Sequence, residues 1–251
     1  MLNGNLLTGK LLNTDCGSLP NPVQILGANL KGWYRGYDAA NTIVSGNQFS
    51  VVNDASGGAF NLNGGAGAAN PTIAATPING KQAFDFAAAS VQFANAPNAS
   101  SPGTAAPPYY LFGIIRPRAN ATTGVQRKWF GGQGSGGCIM VTDNGPNLTL
   151  FAFDNGSFNA NIVGLANNTT YALTAIFNTA LITLRCTGFT STTQAGAIGG
   201  DVKEAIMGTN GGFGANYTAE GALLEWGNAN IAPTPAQDNA VFAYLRKQAG
   251  V

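Results

Sequence analysis

Side chains able to shuttle protons or hold a metal are few in this chain, and their spacing limits what chemistry it can do. Among 251 residues there is no histidine, and Asp and Glu together number 11. Without an imidazole there is no Ser-His-Asp or Cys-His site, because that ring is the proton carrier of both. His-based zinc and iron centres are excluded as well. The carboxylates are scattered. Glu220 and Glu225 are five apart and Asp201 and Glu204 three apart, spacings that put each pair on opposite faces of a strand. No E-x-D-x-E run sets an acid and a nucleophile on one strand face, as a β-sandwich glycosidase needs. No catalytic residue is assigned, and the chain reads as non-enzymatic.

Other groups that carry chemistry have structural explanations. Gly132, Gly134 and Gly137 spell G-x-G-x-x-G. A dinucleotide site needs a helix after that motif to meet the pyrophosphate. Here "CIMVT" follows, which is a strand, so the glycines are a strand connection and no cofactor is expected. Arg116, Arg118, Arg127 and Lys128 form a local basic group, expected to be a solvated loop. Tyr34, Tyr37 and Trp129 are the candidate glycan or partner contacts, since aromatic planes stack on sugars. Cys16, Cys138 and Cys186 have neither disulfide nor metal spacing and are expected to be buried, reduced thiols. The stretch "SVVNDASGGAFNL" at 50–62 breaks an apolar run at Asn53-Asp54. It is either a ligand loop or a corner of a β-rich shell.

The elements that must position these groups are short strands. Hydrophobic residues make up 45% of the chain, enough for a core, whereas charged residues make up only 9%, against about 25% in typical soluble domains. The net charge of +1 steers the protein towards neither nucleic acid nor an anionic membrane. No apolar run approaches the ~20 residues that span a bilayer, and the first residues do not read as a signal peptide.

"YYLFGII" at 109–115 reads as a strand buried on both faces. "CIMVT" at 138–142 and "LTLFAF" at 148–153 flank an Asp-Asn-Gly turn and predict a hairpin. "YALTAIF" at 171–177 and "LITLRC" at 181–186 predict another. "GALLEW" at 221–226, "FSVV" at 49–52, "AFDF" at 83–86 and "VQF" at 91–93 complete the strands. One helix is expected at the C-terminus: Thr234 as N-cap, Pro235 at the first helical position, Gln237 closing a capping box, Gly250 beyond the last turn. The pattern is all-β, a two-sheet antiparallel jelly-roll sandwich with a short C-terminal helix. Residues 1–29 stand outside it as an N-terminal arm or docking segment, with Leu6, Leu7, Leu11 and Leu12 as its candidate contacts. The domain proper is 30–251.

The order of landmarks resembles the concanavalin A-like, laminin-G-like jelly rolls of bacterial surface proteins and phage virion proteins. "LKGWYRGYDAANTI" resembles the family's W-x-x-x-D-A-S opening through Trp33, Asp38 and Ala39. "VVNDASGGAFNL" resembles its W-x-D-x-S-G-x-x-x-N segment, with Val in place of the usual Trp. "INGKQAFDF" at 78–86 resembles I-N-G-K-P-A-L-x-F, and "GALLEWGNANIAPTPAQDNAVFAYLRKQAG" resembles the last strand and closing helix, with Glu225 at the usual acidic position. The resemblance implies that Trp33 packs in the sandwich and that "NDASGG" is a turn in which Asp54 caps backbone amides. It also implies weak Ca²⁺ candidates at Asp143 and Asp154. Ca²⁺ takes about six oxygens or more, so plain hairpin turns are favoured there. The function expected is that of a non-enzymatic structural protein of a phage particle. Its place would be as a capsid decoration protein or tail-associated subunit in symmetric copies, docking on other virion proteins after synthesis in the host cytoplasm. The alternative is a lectin-like carbohydrate-binding module. Neither nucleic acid nor a membrane is expected as partner.

Overall fold

The computed structural model describes residues 19–44, 46–64, 69–96, 106–119, 124–132, 137–143, 147–154, 158–196, 198, 205–208 and 218–251. The docking leucines Leu6, Leu7, Leu11 and Leu12 lie outside the described residues. In chain order the strands are β1 (Leu30–Arg35), β2 (Thr42–Val44), β3 (Gln48–Val52), β4 (Leu62–Gly64), β5 (Thr72–Ile73), β6 (Phe84–Phe86) and β7 (Ala94–Asn95). There follow β8 (Tyr109–Pro117), β9 (Gln126–Gly132), β10 (Cys138–Asp143), β11 (Leu148–Asp154) and β12 (Phe158–Leu165). The last are β13 (Tyr171–Asn178), β14 (Leu181–Cys186), β15 (Thr192–Ala195), β16 (Ala205–Met207) and β17 (Gly221–Ala229). Two helices, α1 (Pro22–Leu26) and α2 (Pro235–Ala249), flank them.

Pairing between named strands is antiparallel throughout and makes two layers. One runs β15-β14-β13-β8-β17, and the far edge of β17 is shared by β1 and β6. The other runs β7-β16-β9-β10-β11-β12. Short strands β5, β3 and β4 carry the hydrogen bonding from β6 to β7 around one side. The fold is an all-β jelly-roll-like sandwich closed by a C-terminal helix. Both expected hairpins are present, β10–β11 and β13–β14.

Two apolar cores explain the run at 109–115. Tyr109, Leu111 and Ile115 point between the layers, where they join Phe130, Ile139, Leu150, Leu173 and Trp226. Tyr110, Phe112 and Ile114 point outward, under α2, and pack with Val241, Phe242 and Leu245. A strand covered on both sides has no polar face to show, hence its unbroken hydrophobicity. Helix α2 starts and stops where its sequence dictates. Thr234 Oγ1 accepts from Gln237 N–H, the Gln237 side chain accepts from Thr234 N–H, and Gly250 leaves the helix at φ +75°.

One local expectation fails. Residues 91–93 are not a strand: Val91 takes φ +48° at the exit of a short 3-10 helix, Ala88–Ser90, and pairing begins at Ala94. Of the expected arm or docking segment, the described residues 19–29 carry α1. Asn21 and Gln24 cap α1 reciprocally, Leu26 is buried in the outer core, and Gln237 Nε2 donates to Ile25 O at 3.3 Å.

Candidate functional site

The Asp54 loop is a turn held by its own carboxylate. Asp54 Oδ1 accepts from the backbone N–H of Trp33 at 3.0 Å and of Ser56 at 2.8 Å. Oδ2 accepts from Ser56 Oγ at 2.7 Å and from Phe60 N–H at 3.3 Å. Gly57, at φ +91°, turns the chain. The lone pairs that a ligand or Ca²⁺ would use are taken by amides and a hydroxyl.

Asp143 ends β10, opposite Leu148 at the start of β11, and Asp154 ends β11, opposite Phe158 of β12. Six residues at ~3.3 Å each place them roughly 20 Å apart. Both are buried, and Asp154 Oδ1 accepts from Tyr109 OH at 2.9 Å. Among the described residues no three His, Cys, Asp or Glu side chains gather around a common point. The Gly132–Gly137 segment joins strand β9 to strand β10, with no helix after it to receive a pyrophosphate.

The basic group is not a solvated loop. Arg127 and Lys128 are buried, and Arg127 Nη1 donates to Thr218 O at 3.2 Å while Lys128 Nζ donates to Gly132 O. Burial pulls the Lys128 ammonium below its ordinary value. Arg118 grips Asp85 at 2.9 Å and Glu220 at 3.0 Å, and Arg116 donates to the Thr76 and Pro77 carbonyls. Carboxylate and carbonyl oxygens of neighbouring segments meet these cations, although Arg127 Nε has no partner among the described residues.

The expected aromatic contacts divide in the same way. Tyr34 and Trp129 are 0% and 1% exposed, so neither offers a ring face to a sugar. Tyr34 packs tilted against Trp226 with centroids 4.9 Å apart, and its OH donates to Phe60 O at 2.9 Å. Tyr37 is half-buried and joins a nest around Glu225. Glu225 Oε2 accepts from Tyr37 OH at 2.9 Å, Trp33 Nε1 at 3.2 Å and Tyr244 OH at 3.3 Å. The register of β17 slips between Leu223 and Glu225, a bulge that puts Leu224 and Glu225 on one face. Burial pushes the Glu225 carboxyl up to about 7, against the pull of the Tyr37, Trp33 and Tyr244 hydrogen bonds and the Lys81 charge. Tyr37 and Tyr244 are raised too, first by burial and then by the Glu225 charge. Arg35 covers the nest from above, 4.5 Å from the Trp33 ring centre, and is paired with Asp38 at 2.8 Å. Glu225 is 0% exposed. The nest clamps β1, β17 and α2 together around an enclosed carboxylate.

An open groove lies elsewhere, between the β13–β14 hairpin and α2. Its cavity is about 460 Å³, lined by Thr169, Tyr171, Arg185, Thr187, Phe189 and Arg246, among others. Gly188, at φ +81°, swings the chain out of β14 so that Phe189 stands half-exposed, 6.0 Å from the Tyr171 ring. Arg185 lies over Phe242 at 3.9 Å and donates to Asp238 Oδ2 at 3.1 Å and Asn239 Oδ1 at 2.8 Å. Cys186 is buried at this end of β14, and burial pushes its thiol up to about 12. Rings, hydroxyls and guanidinium groups at one opening can stack on and hydrogen-bond a polyhydroxylated molecule. Thr169 to Phe189 come from β13, β14 and their flanks, and Arg246 comes from α2; the sequence singled out none of them as site residues.

No family model and no curated protein matches the chain. Solved structures do. The binding domain of Paraclostridial mosquitocidal protein 1 superposes with a TM-score of 0.56 at 14% identity, over 86% of this chain and 52% of that one. Domain 4 of AbnA, a GH43 extracellular arabinanase from Geobacillus stearothermophilus solved with arabinotriose, gives 0.54 at 16% identity, over 88% and 98%. The botulinum neurotoxin serotype C1 binding domain gives 0.55 at 10% identity, over 86% and 52%. The chain thus spans about half of each toxin binding domain and nearly all of the arabinanase domain. At these identities the likeness is one of fold alone: a jelly-roll-like β-sandwich, shared with two toxin binding domains and an arabinanase domain.

Proposed function

We propose that the chain is a non-catalytic, lectin-like module that takes carbohydrate in the groove between β13–β14 and α2. The groove itself supports this: a half-exposed Phe189 ring beside Thr169, Thr187 and Arg246, with no Asp or Glu among its lining residues. A glycosidase needs two carboxylates about the scissile bond. The described carboxylates are instead paired with arginines, buried, or saturated by amides, as with Asp85 and Glu220, Glu225, and Asp54. The sandwich neighbours add weight, one of them being a domain solved with a bound trisaccharide. A glycan array followed by calorimetry tests the proposal. Phe189→Ala is expected to weaken the best ligand roughly tenfold with the fold intact. Unchanged affinity removes the groove from the proposal.

Docking on a phage particle is the second reading, and one surface feature favours it. Ile43 and Val44 are 45% and 40% exposed on β2, which among the described residues pairs with β3 alone. In a chain with so little charge to repel a neighbour, such an edge suits contact with virion proteins or with copies of itself. Stoichiometric co-sedimentation with undecorated particles is the expected result. Its absence, alongside a glycan that binds, leaves only the lectin-like reading.

A further inference from the structure

We infer that the groove prefers glycans bearing a carboxylate, such as uronic or sialic acid units, over neutral ones, and that Arg246 holds that group. The inference rests on the carbohydrate reading of the same groove. Both charged side chains on its wall are arginines, Arg185 and Arg246. Arg185 is committed: Asp238 and Asn239 hold its Nη1, and its plane lies over Phe242. Arg246 is exposed in the last turn of α2 and makes one hydrogen bond there, Nε to Val251 O at 3.3 Å. Among the described residues nothing pairs with its Nη1 and Nη2 atoms. The guanidinium is therefore tethered at Nε and leaves a two-pronged donor pair at the mouth of a groove that holds a half-exposed aromatic ring. That fork matches the two oxygens of a carboxylate, and charge-assisted bonds of this kind are about twice as strong as neutral ones.

The experiment pairs acidic oligosaccharides with their neutral forms: oligogalacturonate, alginate and hyaluronan fragments and sialyllactose, each against its methyl ester. Each pair is titrated calorimetrically into the intact chain, Phe189→Ala, Arg246→Gln and Arg246→Lys. Expected is about a tenfold preference for at least one acid over its ester, weakening with added salt. Arg246→Gln should bring the two affinities together, and Arg246→Lys should keep part of the gap, since it retains charge without the fork. Equal affinity for acid and ester, both lost in Phe189→Ala, overturns the carboxylate preference and leaves the carbohydrate reading standing. Binding that neither Phe189→Ala nor Arg246→Gln alters overturns the groove as the site. No binding to any oligosaccharide overturns both proposals.

Discussion

Glu225 shows how far a single residue's environment sets its chemistry. Its carboxyl is wholly enclosed and holds three hydrogen bonds at Oε2, and Oε1 has no partner among the described residues. Removal from water outweighs those bonds, and its pKa rises from 4.5 to about 7. A raised carboxylate favours the protonated folded form. The associated stability is fully present below pH 4.5 and is lost as pH climbs through about 7. Glu225→Gln keeps the acceptor oxygen without the charge, so its stability relative to the parent chain should improve between pH 5 and pH 8 by on the order of 3 kcal/mol. Urea unfolding at both pH values measures this. Parallel pH dependence of the two proteins would show that Glu225 does not titrate in this range. Asp54 is met on both oxygens by backbone amides and a hydroxyl, and it scaffolds its own turn.

At the scale of the element, α2 does two jobs. Its inner stripe of Val241, Phe242 and Leu245 roofs the outer face of the β8–β17 layer, and its last turn carries Arg246 to the groove. The helix starts because Thr234 and Gln237 satisfy each other's backbone donors. Thr234→Ala should cost about 1 kcal/mol and lower the melting temperature by roughly 2–4 °C. It should also loosen any ligand that touches Arg246, which thermal melts with and without glycan will register. A Thr234→Ala chain that melts with the parent would mean tertiary packing alone holds the start of α2. The bulge in β17 is the second positioning device. By adding one residue at Leu224 it turns Glu225 outward towards Trp33 and Tyr244, while Trp226 keeps its place between the layers.

For the whole molecule, the two cores share β8 and β17. Residues alternate across them: Leu111 faces one core and Phe112 the other. Neither core can come apart without uncovering a face of the same strand, so unfolding should be one cooperative transition. Leu111→Ala is expected to lose about 2–5 kcal/mol and Phe112→Ala about 3–5 kcal/mol from that single transition. Coincident near-ultraviolet and far-ultraviolet circular dichroism melts test it. Two separated steps would show that the helix-covered face melts independently. Among the described residues no helix is long and apolar enough to cross a membrane.

What local sequence determined was the identity of most elements. "YYLFGII" specifies a doubly covered strand through its lack of a polar face, the 138–153 and 171–186 hairpins follow from their turns, and Thr234, Gln237 and Gly250 mark the ends of α2. Those signals act over a few residues, within reach of backbone hydrogen bonds and side-chain alternation. Tertiary structure alone decided which polar and aromatic groups meet solvent. Trp129 and Tyr37 look alike as candidates in the sequence, yet one is sealed between layers and the other half-open beside Arg35. Arg118 finds Asp85 and Glu220 across 33 and 102 residues of chain. Phe189 and Arg246 share a groove only because β14 and α2 pack on the same sheet. Burial is a property of such distant neighbours and of strand register, and a single bulge is enough to send a side chain from one face to the other.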